Sequence, residues 1–196
     1  KNGHYAEAEK LYIKLLHNDA NNGQAYRGLG KLALIANMPL RAVSLLKKAC
    51  HLLPSESMPL IYLADAFNGA GSEQDALTVL EYGQKIFPTL APMLYQLAQQ
   101  QLMFGDLINA ELTFRKVIEF GTNSIVSFAL HGITRLKSFT HEDDDFVLIQ
   151  SRLANNDVDK QEQIILSYAL GKAQDDMQNY AKAWQNFEQA NKLQLT

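Results

Sequence analysis

Small apolar residues return at a fixed step along this chain. Ala8, Ala42, Ala76 and Ala110 are each 34 residues from the next, and Gly30, Ala64, Ala98 and Gly132 keep the same step. A third register reads Ala20, Pro54, Pro88 and Thr122. Larger apolar side chains ride on this period. Counting each unit from its own first residue, positions 4, 7, 8 and 11 hold Tyr26, Leu29, Gly30 and Ala33, then Leu60, Leu63, Ala64 and Phe67, then Leu94, Leu97, Ala98 and Gln101. A second apolar set follows each time: Ala42, Leu46, Ala49; Ala76, Leu80, Gly83; Ala110, Phe114, Val117. The pattern predicts two helices per unit. Small residues at positions 8 and 20 let two antiparallel helices approach closely, and a proline at position 32 closes the second helix. One such pair cannot bury its apolar stripe alone. The period therefore predicts an all-α stack of helix pairs with a shared core.

On these residues the chain resembles the tetratricopeptide repeat family. The resemblance implies a right-handed superhelical solenoid of antiparallel helix pairs, a single domain over residues 1–196. Its parts are a half repeat at 1–22, regular repeats at 23–56, 57–90 and 91–124, a longer irregular repeat at 125–163 and a final repeat at 164–196. Ala33 and Gln101 depart from the large side chain usual at position 11, and Gly83 from the usual helix interior. In the irregular repeat Phe128 and Gly132 are in register, but His131 stands where a leucine is usual and reads as a packed, hydrogen-bonded core histidine. The step from Gly132 to Gly171 is 39 residues, so a modified second helix and a longer connection are expected. Thr140 with Asp143 reads as a capping box for a helix from Phe146 to Leu153, and Glu142 to Asp145 suit its positive end. Asn155, Asn156 and Asp157 end it. The last repeat returns to pattern with Leu170, Gly171, Tyr180, Ala183, Phe187 and Ala190. Lys1 falls inside a repeat and no polar capping helix follows Leu195, so the chain is expected to be a piece of a longer one, or to self-associate through uncapped ends.

Composition narrows the function classes. The chain is 47% hydrophobic and 20% charged, the balance of an ordinary globular protein. No apolar run approaches the length of a membrane helix, and no leader is evident. The single cysteine, Cys50, cannot form an internal disulfide, so a cytoplasmic location is expected. A net charge of −3 gives no general attraction to nucleic acid.

No catalytic centre, cofactor site or metal site is predicted. Gly28-Leu29-Gly30-Lys31 and Gly171-Lys172 resemble phosphate loops only in part, because no Ser or Thr follows the lysine and no strand precedes either. Their glycines read as packing residues. The run His141-Glu142-Asp143-Asp144-Asp145 could hold a divalent ion, but reads first as a capped, acidic helix start. Cys50 reads as structural. His4, His17 and His51 are scattered, and no nucleophile–base grouping has a spacing that helices would bring together.

The family geometry implies a concave face lined by the first helices, at positions 2, 5, 9 and 12. Those positions are Gln24, Arg27, Lys31 and Leu34; Met58, Ile61, Asp65 and Asn68; Tyr95, Gln99 and Leu102; Val126, Ala129 and Ile133; and Tyr168, Lys172 and Asp175. Asp175 and Asp176 are either partner contacts or solvated. The lysine and asparagine set with which relatives clamp a C-terminal carboxylate is missing, since Asp65, Pro92 and Gln96 follow Arg27 and Lys31. A protein or peptide partner with a few apolar anchors is the expected ligand. A second resemblance covers the C-terminal repeat. Leu170-Gly171-Lys172-Ala173, Asp175-Asp176 and Asn191 look like the last repeat of bacterial proteins that join such repeats to a sulfotransferase domain. That implies the non-catalytic front part of such an enzyme. A stand-alone adaptor with no linked enzyme is the alternative.

Overall fold

The computed structural model describes residues 2–122, 124–155 and 157–195, without the side chains of Asn2 and Gly3. Eleven helices and no strand occur among the described residues. They fall into two compact units, Lys1–Pro88 and Thr89–Thr196.

The first unit holds α1 (Asn2–Asn18), α2 (Gly23–Ile35), α3 (Pro39–Leu52), α4 (Met58–Gly69) and α5 (Glu73–Ile86). Helices α2 and α3 form one antiparallel hairpin, α4 and α5 the next, and α3 packs on α4. The periodic small residues sit at the closest approaches. Ala42, Ala49 and Ala76 are fully buried, and a Cβ on Gly30 would lie 2.5 Å from Leu46 Cγ. The side chain of Asn22 caps α2 by accepting from the Ala25 amide at 2.9 Å. Pro54 and Pro88 each stand two residues beyond the last helical residue, Leu52 and Ile86, as chain terminators should.

The second unit holds α6 (Ala91–Met103), α7 (Leu107–Phe120), α8 (Ser124–Thr134), α9 (Asp144–Leu153), α10 (Lys160–Asp176) and α11 (Tyr180–Leu195). Pairs α6/α7 and α10/α11 are regular hairpins. Between them α8 leans on α7 and α10 more than on its sequence neighbour α9. One core joins Leu94, Ala98, Phe114, Val117, Ala129 and Ile133, and another joins Leu130, Phe139, Ile149, Val158, Leu166 and Ala169. The ring of Phe114, on α7, lies against Gly132 of α8. A Cβ on Gly132 would lie 2.4 Å from the Phe114 Cζ.

The capping box expected from Thr140 is replaced by a simpler cap. Asp143 is itself the N-cap of α9 and accepts from the Asp145 amide at 3.0 Å, so the helix begins at Asp144 rather than Phe146. It ends at Leu153 with Ala154 as C-cap; of the three stop residues read from sequence, Asn156 lies outside the described residues. Helix α10 starts at Lys160, inside the stretch read as connection, with Asp159 accepting from the Glu162 amide at 2.8 Å.

A further register emerges in the turns. Asn37, Gly71 and Gly105, again 34 apart, have φ of 54°, 72° and 77°, and Gln178 has 59°. Each sits in a turn where an amide reaches back to the carbonyl five residues earlier: Met38 to Ala33, Ser72 to Phe67, Asp106 to Gln101, and Asn179 to Gln174, all at 2.8–2.9 Å. This left-handed turn reverses the chain between the two helices of a hairpin.

Candidate functional site

The residues expected to line a binding face divide between the two units. In the first unit, Gln24, Arg27 and Lys31 succeed one another on α2, and Met58 opens α4. Together with Tyr12 of α1 and Tyr62 of α4 they line a cavity of about 240 Å³. Its floor requires Gly28, where a Cβ would lie 2.3 Å from the Tyr12 ring. The electrostatics of this face turn on Glu56, in the α3–α4 connection. Its carboxylate accepts from Gln24 Nε2 at 2.5 Å and from Arg27 Nη1 at 2.6 Å. The basic corner read from sequence is therefore half neutralised. Lys31 keeps its charge free of ion pairs among the described residues and lies 5.7 Å from the centre of the Tyr62 ring. Sequence reasoning misses Glu56 and Tyr62 because neither occupies a repeat position assigned to the face. The reach of an arginine across one hairpin is the available signal for Glu56.

Ile61 is corrected. It is only 7% exposed, because α4 packs against α2, α3 and α5 and buries most of its circumference. Tyr62, one residue on, is the side chain that reaches the cavity. Asp65 and Asn68 are exposed farther along α4.

In the second unit the expected face residues are engaged in internal contacts. Tyr95 packs against Phe114 and Phe128, with ring centres 6.0 and 5.9 Å apart, and its hydroxyl accepts from Gln99 Nε2 at 2.6 Å. Ala129 and Ile133 are fully buried where α8 meets its neighbours, so they offer no surface. The Tyr168 hydroxyl donates to Asn191 Oδ1 at 2.6 Å, and Lys172 pairs with Asp176, whose carboxylate also accepts from the Phe139 amide at 3.1 Å. Asp175 is exposed. A Cβ on Gly171 would lie 2.4 Å from Phe187 Cε1. So Gly171, Lys172, Asp176 and Asn191, which carry the second sequence resemblance, each have a packing or bonding task within this hairpin.

The acidic run is built into an ion-pair lock. Asp145 is buried and bridged by Arg115 of α7 through both guanidinium nitrogens and by Lys137 Nζ at 2.5 Å. Lys137 also holds Asp143 at 2.8 Å. Burial pushes the Asp145 carboxyl up, but its hydrogen bonds and charge contacts with Arg115 and Lys137 overcome this and hold it below the usual carboxylate value. These carboxylates face cations of the protein itself, and among the described residues no group of three or more metal-ligating side chains converges. A second buried carboxylate, Glu162, accepts from Arg152 Nη2 at 2.8 Å. His131 is half-buried; burial, aided by the charge of Arg135, lowers its pKa, which favours the neutral ring. Burial pushes the Cys50 thiol up to about 11, the opposite of an activated nucleophile. No described helix is long and apolar enough to cross a membrane.

No family model matches the chain, and no curated protein does. Solved structures do. The chain is similar to BtubC from P. vanneervenii, at 16% identity and a TM-score of 0.75 over 98% of this chain and 89% of that one. It is similar to TTC0263, a thermophilic TPR protein in Thermus thermophilus, at 17% identity and a TM-score of 0.57 over 96% and 91%. It is also similar to a chain of the APC/C hetero-tetramer Cut9–Hcn1, at 14% and 0.70, over 98% of this chain but 38% of that one. At such identities the likeness concerns architecture alone, and it agrees with the repeat period: the fold is that of stacked tetratricopeptide-repeat hairpins.

Proposed function

We propose that this chain is a protein-interaction scaffold that takes an extended segment of a partner on the α2/α4 face of its first unit. The observation that carries the reading is the cavity in which four of the sequence-expected residues, Gln24, Arg27, Lys31 and Met58, meet two tyrosines. An exposed ammonium beside aromatic and thioether surface suits a segment pairing an acidic with an apolar side chain. The Cut9–Hcn1 assembly, a relative in fold only, is itself a complex of proteins. The half-neutral charge of this face gives no reason to expect nucleic acid. A cytoplasmic setting, read from the lone cysteine, belongs to the same proposal, as does self-association through the ends of the solenoid.

Peptides selected from a displayed random library on the native protein provide the test. They are expected to bind a Lys31→Glu/Met58→Asp variant at least tenfold more weakly, with far-UV circular dichroism unchanged. Equal binding to the variant would place the site elsewhere.

A linked sulfotransferase domain is a second reading, favoured by the Leu170–Ala173, Asp175-Asp176 and Asn191 motif. The fold comparisons lend it no support. Sequencing the parent gene beyond Thr196 decides it: a phosphosulfate-binding loop downstream would make this chain the substrate-docking part of an enzyme, and its absence would leave the adaptor.

A further inference from the structure

We infer that the first unit carries another site, on the side where the α1–α2 turn meets α3, which holds an anionic side chain of an extended peptide next to an apolar one. It shares no residue with the α2/α4 cavity. Asn21, Tyr26, Lys47, Lys48, His51 and Leu52 line a depression of about 420 Å³. The lining residues include two lysines and a histidine, and no acidic residue.

The two lysines are held in place by rings rather than by counter-ions. Lys48 Nζ lies 5.1 Å from the centre of the Tyr26 ring, and Lys47 Nζ lies 5.2 Å from that of Phe67. Among the described residues neither lysine forms an ion pair, whereas Arg41 on the same helix is paired with Glu9 of α1 at 2.7 Å. A ring face satisfies one side of an ammonium and leaves its other N–H groups directed outward. It also restricts the long side chain, so less rotamer freedom remains to be lost when an anion arrives. Basic residues at a helix C-terminus answer the helix dipole, and that accounts for His51 in the last turn of α3. It does not account for two successive lysines whose ammonium groups lie over rings of two different helices.

The same geometry selects the ligand. Lysine acts as a point charge and accepts carboxylate or phosphate alike. The apolar contribution of Tyr26 and Leu52 calls for an aliphatic or aromatic neighbour on the ligand. The volume suits one or two side chains, not a folded surface. An acidic residue followed by an apolar one, as glutamate–leucine or phosphoserine–leucine, fits both demands.

The experiment titrates the isotope-labelled full chain with three capped tetrapeptides, Gly-Glu-Leu-Gly, Gly-phosphoserine-Leu-Gly and Gly-Gln-Leu-Gly, and follows backbone amide shifts. Saturable shifts at Asn21, Tyr26, Lys48 and His51 are expected for at least one of the anionic peptides, with the glutamine peptide fivefold or more weaker. Preference for the phosphopeptide or the glutamate peptide tells which anion the site is built for. A Lys47→Gln/Lys48→Gln variant is expected to lose the shifts while keeping a dispersed spectrum. Absence of saturation with both anionic peptides, equal response to the glutamine peptide, or full binding by the folded double variant would each overturn the assignment.

Discussion

Phe114→Ala is expected to remove about 3–5 kcal/mol from the stability of the second unit. Its ring is fully buried, packs at a tilt against Tyr95, and lies against Gly132 of α8. A loss of about that size is a large share of the roughly 5–15 kcal/mol typical of a domain. Urea denaturation followed by circular dichroism measures it. The partner position gives a sharper version. Gly132→Ala alone should destabilise by about 1–3 kcal/mol, because its new methyl lies 2.4 Å from a ring atom that cannot retreat. In the Phe114→Ala background the same change should be neutral or stabilising, as the methyl enters the hole and alanine favours helix. An unchanged penalty in the double variant would show that Gly132 is needed for some reason other than the ring.

Asp145→Ala is expected to cost about 2–4 kcal/mol at neutral pH, below the full cost of breaking a wholly buried pair because Arg115 and Lys137 are partly exposed and can rehydrate. The change removes a carboxylate that ties both α7 and the α8–α9 connection to the start of α9. Its pH dependence follows from the sign of the shift. The folded-state carboxyl lies below its ordinary value, so its contribution is complete above about pH 5 and is lost as pH falls through the ordinary value of 3.8 toward the lowered one. The gap between native protein and variant should therefore narrow on acidification. A gap that stays constant down to about pH 2 would mean that the carboxylate stabilises by shape and not by charge.

The regular repeats are legible in the sequence because one physical demand recurs: small residues at two contacts and a stop after the second helix. Ala42, Ala76, Ala98 and Ala110 all sit where that demand places them, fully buried. The fourth register, Asn37, Gly71 and Gly105, is equally periodic, but a left-handed turn shows only in polar or glycine positions and leaves no trace in an apolar pattern. The irregular repeat is legible only as a departure. Besides its apolar core it is tied by Arg115–Asp145–Lys137 and Arg152–Glu162, pairs 8 to 30 residues apart in sequence that no period connects. On the binding face, helical spacing brings Gln24, Arg27 and Lys31 onto one side of α2, but it cannot say that Glu56 claims Arg27 or that Ile61 turns inward. Both are tertiary contacts between separate elements of the chain.

Three of the four left-handed turns use residues suited to them, and the fourth uses glutamine. Gln178 is exposed, yet its backbone is held at a φ of 59° that a residue with a Cβ resists by roughly 1–2 kcal/mol. Glycine at that place would return part of this, less its own loss of freedom on folding. The last hairpin thus holds an unused reserve of stability in the turn between α10 and α11. A lineage or an engineer could exchange Gln178 first and afterwards accept destabilising changes elsewhere in the second unit without losing its fold.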